Sequence, residues 1–296
     1  MKKSLIILLI AIIPIGMLAQ DSTVTKKTAT PELISKHGIP ILPQVGDFAI
    51  GVDVIPYINF LGSTFSSGGN TLNPITSNTL YGKYYLDNNS AIRFELYTSH
   101  NDSKINNYVV DDAAVFINAN SNAQVVDELK TNSHKYGIAA GYQKYRGYGR
   151  LRGTYGAQVS YSRENSIDAY TYGNQMNALN ATPTTTANWS SFAVANPAQR
   201  LLKSNFGVTN GLGITALAGV EYFILPKICI GGEVGLSLVY SWSKQSNATY
   251  EEMQNLSGTP TRMEIDRATS PGNTDFSINT FQYGAPAGRI YVLFHF

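Results

Sequence analysis

From Ile228 to Trp242 the chain alternates between two kinds of position. The even ones read Ile228, Ile230, Gly232, Val234, Leu236, Leu238, Tyr240 and Trp242; the odd ones read Cys229, Gly231, Glu233, Gly235, Ser237, Val239 and Ser241. One face is apolar and ends in aromatics, the other is mostly small or charged, and this is the period of an extended strand. The preceding stretch repeats it, with Phe206, Val208, Leu212, Ile214, Ala216, Ala218, Val220 and Tyr222 against Thr209, Gly211, Gly213, Thr215, Gly219 and Glu221. Typical strands run about 5–6 residues, so alternation of this length exceeds what a soluble sandwich needs.

The same period picks out eight segments: Gly46–Phe60, Asn78–Leu86, Ala91–Asn101, Thr131–Arg146, Arg150–Glu164, Asn205–Phe223, Ile228–Lys244 and Phe276–Phe296. Their connections alternate in length. Asp87-Asn88-Asn89-Ser90, Gly147-Tyr148-Gly149 and Ile224-Leu225-Pro226-Lys227 are tight and carry turn formers. Leu61–Ser77, Asp102–Lys130, Asn165–Ser204 and Gln245–Asp275 are long. The pattern predicts an all-β fold, a transmembrane up-and-down antiparallel β-barrel of eight strands with short periplasmic turns and long extracellular loops. Loops this long without an apolar period read as surface recognition elements or as mobile segments.

A soluble secreted sandwich or lipocalin-like barrel would instead bury the apolar face and turn the charged one outward. The C-terminus separates the two readings. Ile290, Val292, Phe294 and Phe296 alternate with Arg289, Tyr291, Leu293 and His295. A strand that stops on Phe with aromatics at alternate positions resembles the signal read by the outer-membrane barrel-insertion machinery. At the other end, Lys2 and Lys3 precede the apolar run Leu5–Ile13, which Pro14 and Gly16 break. Residues 1–19 therefore read as a signal peptide cleaved near Ala19/Gln20. The run is too short for a bilayer core, which takes roughly 20 apolar residues. Residues 20–45, punctuated by Pro31, Pro40 and Pro43, read as an irregular periplasmic lead-in, and 46–296 as the barrel.

Composition changes the picture little but agrees with it. There are 26 Gly and 19 Tyr, as expected of a chain rich in strands and turns. The 22 basic residues, Lys2 and Lys3 among them, face 20 acidic ones, so the mature chain is neutral. A neutral chain with few charges argues against nucleic acid as a partner. Cys229 is the single cysteine and forms no intrachain disulfide.

The stretch Ile41-Leu42-Pro43-Gln44-Val45-Gly46-Asp47-Phe48-Ala49-Ile50-Gly51, with Leu80-Tyr81-Gly82-Lys83-Tyr84-Tyr85-Leu86, resembles a Bacteroidetes family of uncharacterised outer-membrane barrel proteins. The resemblance covers the scaffold and leaves the loops unaligned. It implies fold and location and no activity.

An eight-stranded barrel is just wide enough to be filled by its own side chains. The inward parity supplies Asp53, Lys83, Arg93, Glu95, Gln143, Arg152, Gln158, Glu221, Glu233 and Arg289. Buried charges are tolerated only when paired, so these predict a lumenal charge network, with Glu221 and Glu233 facing Arg93, Arg152 and Arg289. Ile290, Val292, Phe294 and Phe296 are the expected assembly signal. Phe60, Tyr136, Tyr161, Phe206, Tyr240 and Trp242 at the outer strand ends, and Tyr84, Tyr142, Tyr222, Phe294 and Phe296 at the inner ends, read as interfacial girdles. Pro56 and Pro286, with Gly284 and Gly288, mark the junction of first and last strands as a bulge or as a seam for a partner or lipid. His100 and His134 fall at neighbouring strand ends and point outward by parity. No catalytic residue, cofactor or metal is assigned. The expected role is a non-enzymatic scaffold or surface-interaction protein, or a subunit of a larger outer-membrane assembly. A rim enzyme acting on lipid or peptide and a small channel are the alternatives. Expected partners are outer-membrane lipid and lipopolysaccharide, the insertion machinery and other outer-membrane proteins.

Overall fold

A computed structural model of the chain describes residues 33–54, 77–147, 149–256, 258–279 and 289–296. Residues 1–19, read above as a signal peptide, the first part of the expected lead-in, most of the Leu61–Ser77 connection and Pro56, Phe60, Gly284, Pro286 and Gly288 lie outside the described residues.

The described chain is almost wholly antiparallel strand. In order it runs β1 (Phe48–Asp53), β2 (Ser77–Asp87), β3 (Ser90–Val110), α1 (Asp112–Ile117), β4 (Gln124–Arg146), β5 (Leu151–Thr171), β6 (Thr185–Asn188), β7 (Ala193–Ala195), β8 (Gln199–Leu225), β9 (Ile228–Ser243), β10 (Ser246–Leu256), β11 (Thr259–Ser270), β12 (Thr274–Asn279) and β13 (Arg289–His295). All but β6 and β7 belong to one 11-stranded sheet whose hydrogen bonds run in a ring. The ring passes β1–β2–β3–β4–β5–β8–β9–β13 and returns to β1, where Ala49 faces His295 and Asp53 faces Tyr291.

Tight turns join strands at one end of this ring. At Asn88-Asn89 the Asp87 carboxylate accepts from Asn89 N–H and Ser90 Oγ, both at 2.6 Å. Between β8 and β9, Lys227 takes a positive φ of 62°, while Arg150 Nη1 donates to the Phe223 and Ile224 carbonyls at 2.9 Å. The lead-in is more ordered here than its prolines suggest. Ile41 is 3% exposed and packs with Tyr81, Phe223, Cys229, Tyr291 and Leu293 across the turn end. The Lys227 N–H donates to the Ile41 carbonyl, and the Lys227 ammonium pairs with Asp47.

Away from the turns the sheet departs from the eight segments read from sequence. β3 and β4 stay paired from Asn101↔Ser133 to Val110↔Gln124, with β5 on the other side of β4 as far as Glu128↔Thr171, and α1 lies at the far end. β8 begins at Gln199, and its first residues pair with β10 of the β10–β11 hairpin. β12 adds to β9 beyond β13. Most of what reads as long loops is thus paired strand. The reason is physical: these extensions bury only scattered side chains, such as Val109, Asp127 and Glu251, and leave much of both faces open, so no strict apolar/polar alternation marks them.

Candidate functional site

Parity divides the ring's wall cleanly. Outward positions carry large apolar side chains: Phe48, Ile50 and Val52 on β1, Leu80 and Tyr84 on β2, Phe94 and Leu96 on β3, Tyr136 and Ile138 on β4, and so around to Ile290 and Phe294 on β13, all at least 36% exposed. Tyr161, Phe206, Tyr222, Tyr240 and Phe296 are exposed as well. Inward positions carry the charges. Lys83, Arg93, Glu95, Arg152, Glu221, Glu233 and Arg289 are each no more than 5% exposed.

Those charges sort into layers. Nearest the turns, Lys83 pairs with Glu221, which also accepts from the Tyr291 hydroxyl at 2.8 Å. Lys83 Nζ donates to the Tyr145 hydroxyl at 3.3 Å, Tyr145 donates to the Tyr85 hydroxyl at 3.2 Å, and Tyr85 meets His295 Nε2 at 3.0 Å. The ammonium stands 5.2 Å from the Tyr291 ring centre and 5.6 Å from that of Tyr145. One layer up, the Arg93 fork holds Glu233 with two bonds of 2.9 Å and reaches Glu95 at 2.5 Å. Arg289 Nη1 holds both oxygens of Glu95 at 2.9 Å. Bidentate guanidinium–carboxylate bonds are among the strongest a protein makes. A buried charge needs hydrogen-bonding partners of this kind, since its lost hydration is otherwise uncompensated.

Individual partners differ from the expected ones. Glu221 is held by Lys83 and not by an arginine. Arg152 instead donates to Asn88 O and Asn89 Oδ1 at 2.7 Å, with its guanidinium 5.0 Å from the Tyr145 ring. Gln143 and Gln158 are buried inside, and Asp53 is half-buried at the end of β1. On β13 and at Phe296 just past it, Ile290, Phe294 and Phe296 are exposed, Val292 is half-buried, and Arg289, Tyr291, Leu293 and His295 are buried.

No protein-family model matches this chain, and no curated protein does. The arrangement must therefore speak through its own chemistry. Among the described residues no helix is long and apolar enough to cross a membrane, which says nothing of strands.

Sequence reasoning missed a second polar cluster, above the wall. Asp127, fully buried, accepts from Gly173 N, Thr186 N and Thr186 Oγ1 at 2.9, 2.7 and 2.9 Å. Arg200 pairs with Glu251, which Arg262 also holds at 2.5 Å, and Arg200 lies 4.4 Å from the Tyr172 ring centre. Asn174 ties Val110 O, Thr184 O and the Asp112 N–H together. Glu128 is held below the usual carboxylate range by hydrogen bonds from Lys104 and Lys130. These bonds lock the ribbons and the strap of chain containing β6 and β7 into one platform. Its extremities carry Phe116, Ile117 and Leu179, exposed by 84, 86 and 92%. The only sequence signal for the platform was charge in stretches otherwise rich in Asn and Thr.

Proposed function

We propose that this protein is an outer-membrane β-barrel of eight staves, β12 and β13 together forming the last, and that it acts without catalysis as a surface-interaction or scaffold protein. The observation that carries the reading is the division of one ring of strands into an apolar exterior and a buried, charged interior in which Lys83, Arg93 and Arg289 are paired with Glu221, Glu233 and Glu95. Water on the outside would leave that exterior unsatisfied, since soluble monomers rarely expose apolar patches beyond a few hundred Å². Lipid accepts it. The register supports closure with tilt: from Gly51 through Tyr81, Glu95, Ala139, Ser160, Gly213 and Val239 it arrives at Ser277, far up the chain from Leu293, Gly51's other partner. Staggered, tilted strands are what a closed barrel requires.

In this reading the turns and the lead-in face the periplasm and the ribbons stand outside the cell. Membership of the Bacteroidetes-type barrel family and export by residues 1–19 belong to the same proposal. A preorganised platform with apolar tips suits contact with other outer-membrane or surface proteins, because little ordering entropy is left to lose on binding. The packed ion pairs and Ile41 speak against a small channel.

The experiment uses the full chain with Cys229 replaced by Ser. A cysteine at Leu179 should react with a membrane-impermeant maleimide on intact cells, and one at Asn88 should not. The folded protein should fractionate with the outer membrane and show heat-modifiable gel mobility. Folded protein in the soluble periplasm, or equal labelling of both sites, overturns the reading. In planar bilayers it should conduct negligibly; reproducible large open states would promote the channel.

A further inference from the structure

Where β3 pairs with β4, His100 and His134 are direct register partners, so both project from one face. Their rings meet edge to edge, Nδ1 to Nδ1 at 2.5 Å, with centroids 4.2 Å apart. The far nitrogen of His100, Nε2, lies 2.6 Å from Asp102 Oδ2, and the other Asp102 oxygen accepts from Asn132 Nδ2 at 2.5 Å. His134 stacks on Tyr136 with planes 7° apart. Both rings are therefore held in place, one by a carboxylate that is itself fixed, the other by an aromatic.

The hydrogen bonds decide which atoms carry lone pairs. A neutral His100 that donates Nε2–H to Asp102 has no proton on Nδ1. That lone pair faces Nδ1 of His134, so at most one proton sits between the two nitrogens. A metal ion can take the place of that proton. We propose that His100 and His134 form a two-histidine binding site for a late divalent transition ion, Cu2+ in preference to Ni2+ or Zn2+, with Asp102 as a positioning residue. Imidazole suits these ions, and their order of affinity puts Cu2+ first. Metal-bound histidines commonly give the other ring N–H to a carboxylate, which fixes the tautomer and makes the ligand more basic. Metal–nitrogen bonds of about 2.0–2.1 Å put two ligand nitrogens about 2.9 Å apart at a right-angle site, so the two Nδ1 atoms must part and both rings turn to aim their lone pairs at one ion, and their exposure leaves them room.

The site is open. The His100 and Asp102 side chains are 49 and 58% exposed, so an ion reaches it from solvent, and water completes the coordination. Among the described residues no group of three or more His, Cys, Asp or Glu side chains is placed to hold one metal ion, Asp102 being turned to the far nitrogen of His100. An exchangeable ion stapling β3 to β4 fits that donor count better than a structural metal does.

The test is calorimetry and electron paramagnetic resonance of the folded full chain in detergent, titrated with Cu2+. One ion per chain with a two-nitrogen hyperfine pattern is expected. His100→Ala and His134→Ala should each abolish saturable binding, and Asp102→Asn should weaken it about 10–100-fold. His37→Ala should leave it unchanged. Heat-modifiable mobility of each variant reports that it still folds. No saturable binding by the wild type, binding that survives His134→Ala, or binding lost with His37 overturns the proposal.

Discussion

Phe296 exchanges both backbone hydrogen bonds with Phe48: its N–H donates to the Phe48 carbonyl at 2.8 Å, and the Phe48 N–H donates back at 3.2 Å. Through this pair and the register from Ala49↔His295 onward, β13 joins β1. Every strand of the ring then has a neighbour on each side, and the ring has no free edge to template association. Both rings point outward, at 73 and 40% exposure, which suits an interface between water and lipid.

Deleting Phe296 should remove the closing pair and the outward aromatic together. The expected outcome is unfolded chain in the periplasm and loss of the heat-modifiable band. Phe296→Tyr keeps the backbone and the ring, and should assemble normally. Wild-type surface display of the deletion would count heavily against a role for this residue in assembly.

Removing Glu233's charge should be costly. Glu233→Gln leaves Arg93 and Arg289 to share Glu95 inside a wall where all four side chains are buried. Breaking a buried pair from one side typically costs about 3–5 kcal/mol. The double variant Arg93→Met, Glu233→Leu keeps the remaining Glu95–Arg289 pair balanced and should recover most of that loss. Urea unfolding in detergent, followed by gel mobility, measures both. A single variant as stable as the double one would mean that water reaches the layer.

How much of this was readable in sequence depends on what faces what. Where one strand face meets the ring's interior and the other does not, side chains must differ, and parity found Lys83, Arg93, Glu95, Arg152, Glu221, Glu233 and Arg289 on the inward set. It could not say that Glu221 would meet Lys83, because partners across a ring depend on stagger, and stagger is set by the whole register. Tyr85, Tyr145 and Tyr291 share the inward parity, yet a tyrosine pattern alone does not distinguish a girdle from a buried relay. The platform was invisible for the opposite reason. β10, β11 and the upper parts of β3 and β4 are held by backbone pairing and by Asp127, Arg200 and Glu251, and isolated charges in polar stretches look the same whether buried or solvated. Ile41 was hidden among prolines.

Gly231 is a position where any side chain collides. A Cβ there would overlap the Tyr291 ring, which lies flat on the glycine as its cross-strand partner. Gly231→Val should therefore push Tyr291 away from Glu221 and loosen the Lys83 layer. Overpacking of this kind costs about 1–3 kcal/mol. Adding Tyr291→Ala should relieve the collision but not restore the hydroxyl's bond to Glu221. A drop in unfolding midpoint for Gly231→Val, only partly recovered in the double variant, is the expected pattern; full stability of Gly231→Val would mean that the ring does not rest there.

The platform should also have an alkaline limit readable at Tyr170, on the upper part of β5 above the apolar belt. Burial pushes its phenol up to about 12, and the neighbouring Asp168 charge adds to the shift. The hydroxyl donates to Asp168 Oδ2 at 3.5 Å, while Thr131 Oγ1 holds the other oxygen at 2.7 Å. The folded value lies above the ordinary 10.0, so the fold favours the neutral phenol. Its contribution to stability is then fully present below about pH 10 and is lost as pH rises toward 12. The difference in phenolate absorbance between the wild type and Tyr170→Phe should show a step near pH 12. Asp168→Asn removes the repelling charge and should move that step down, though not to its ordinary value, because burial remains. A step at the ordinary value in the wild type would mean that Tyr170 stands in water and that the ribbons above the belt are not packed as described.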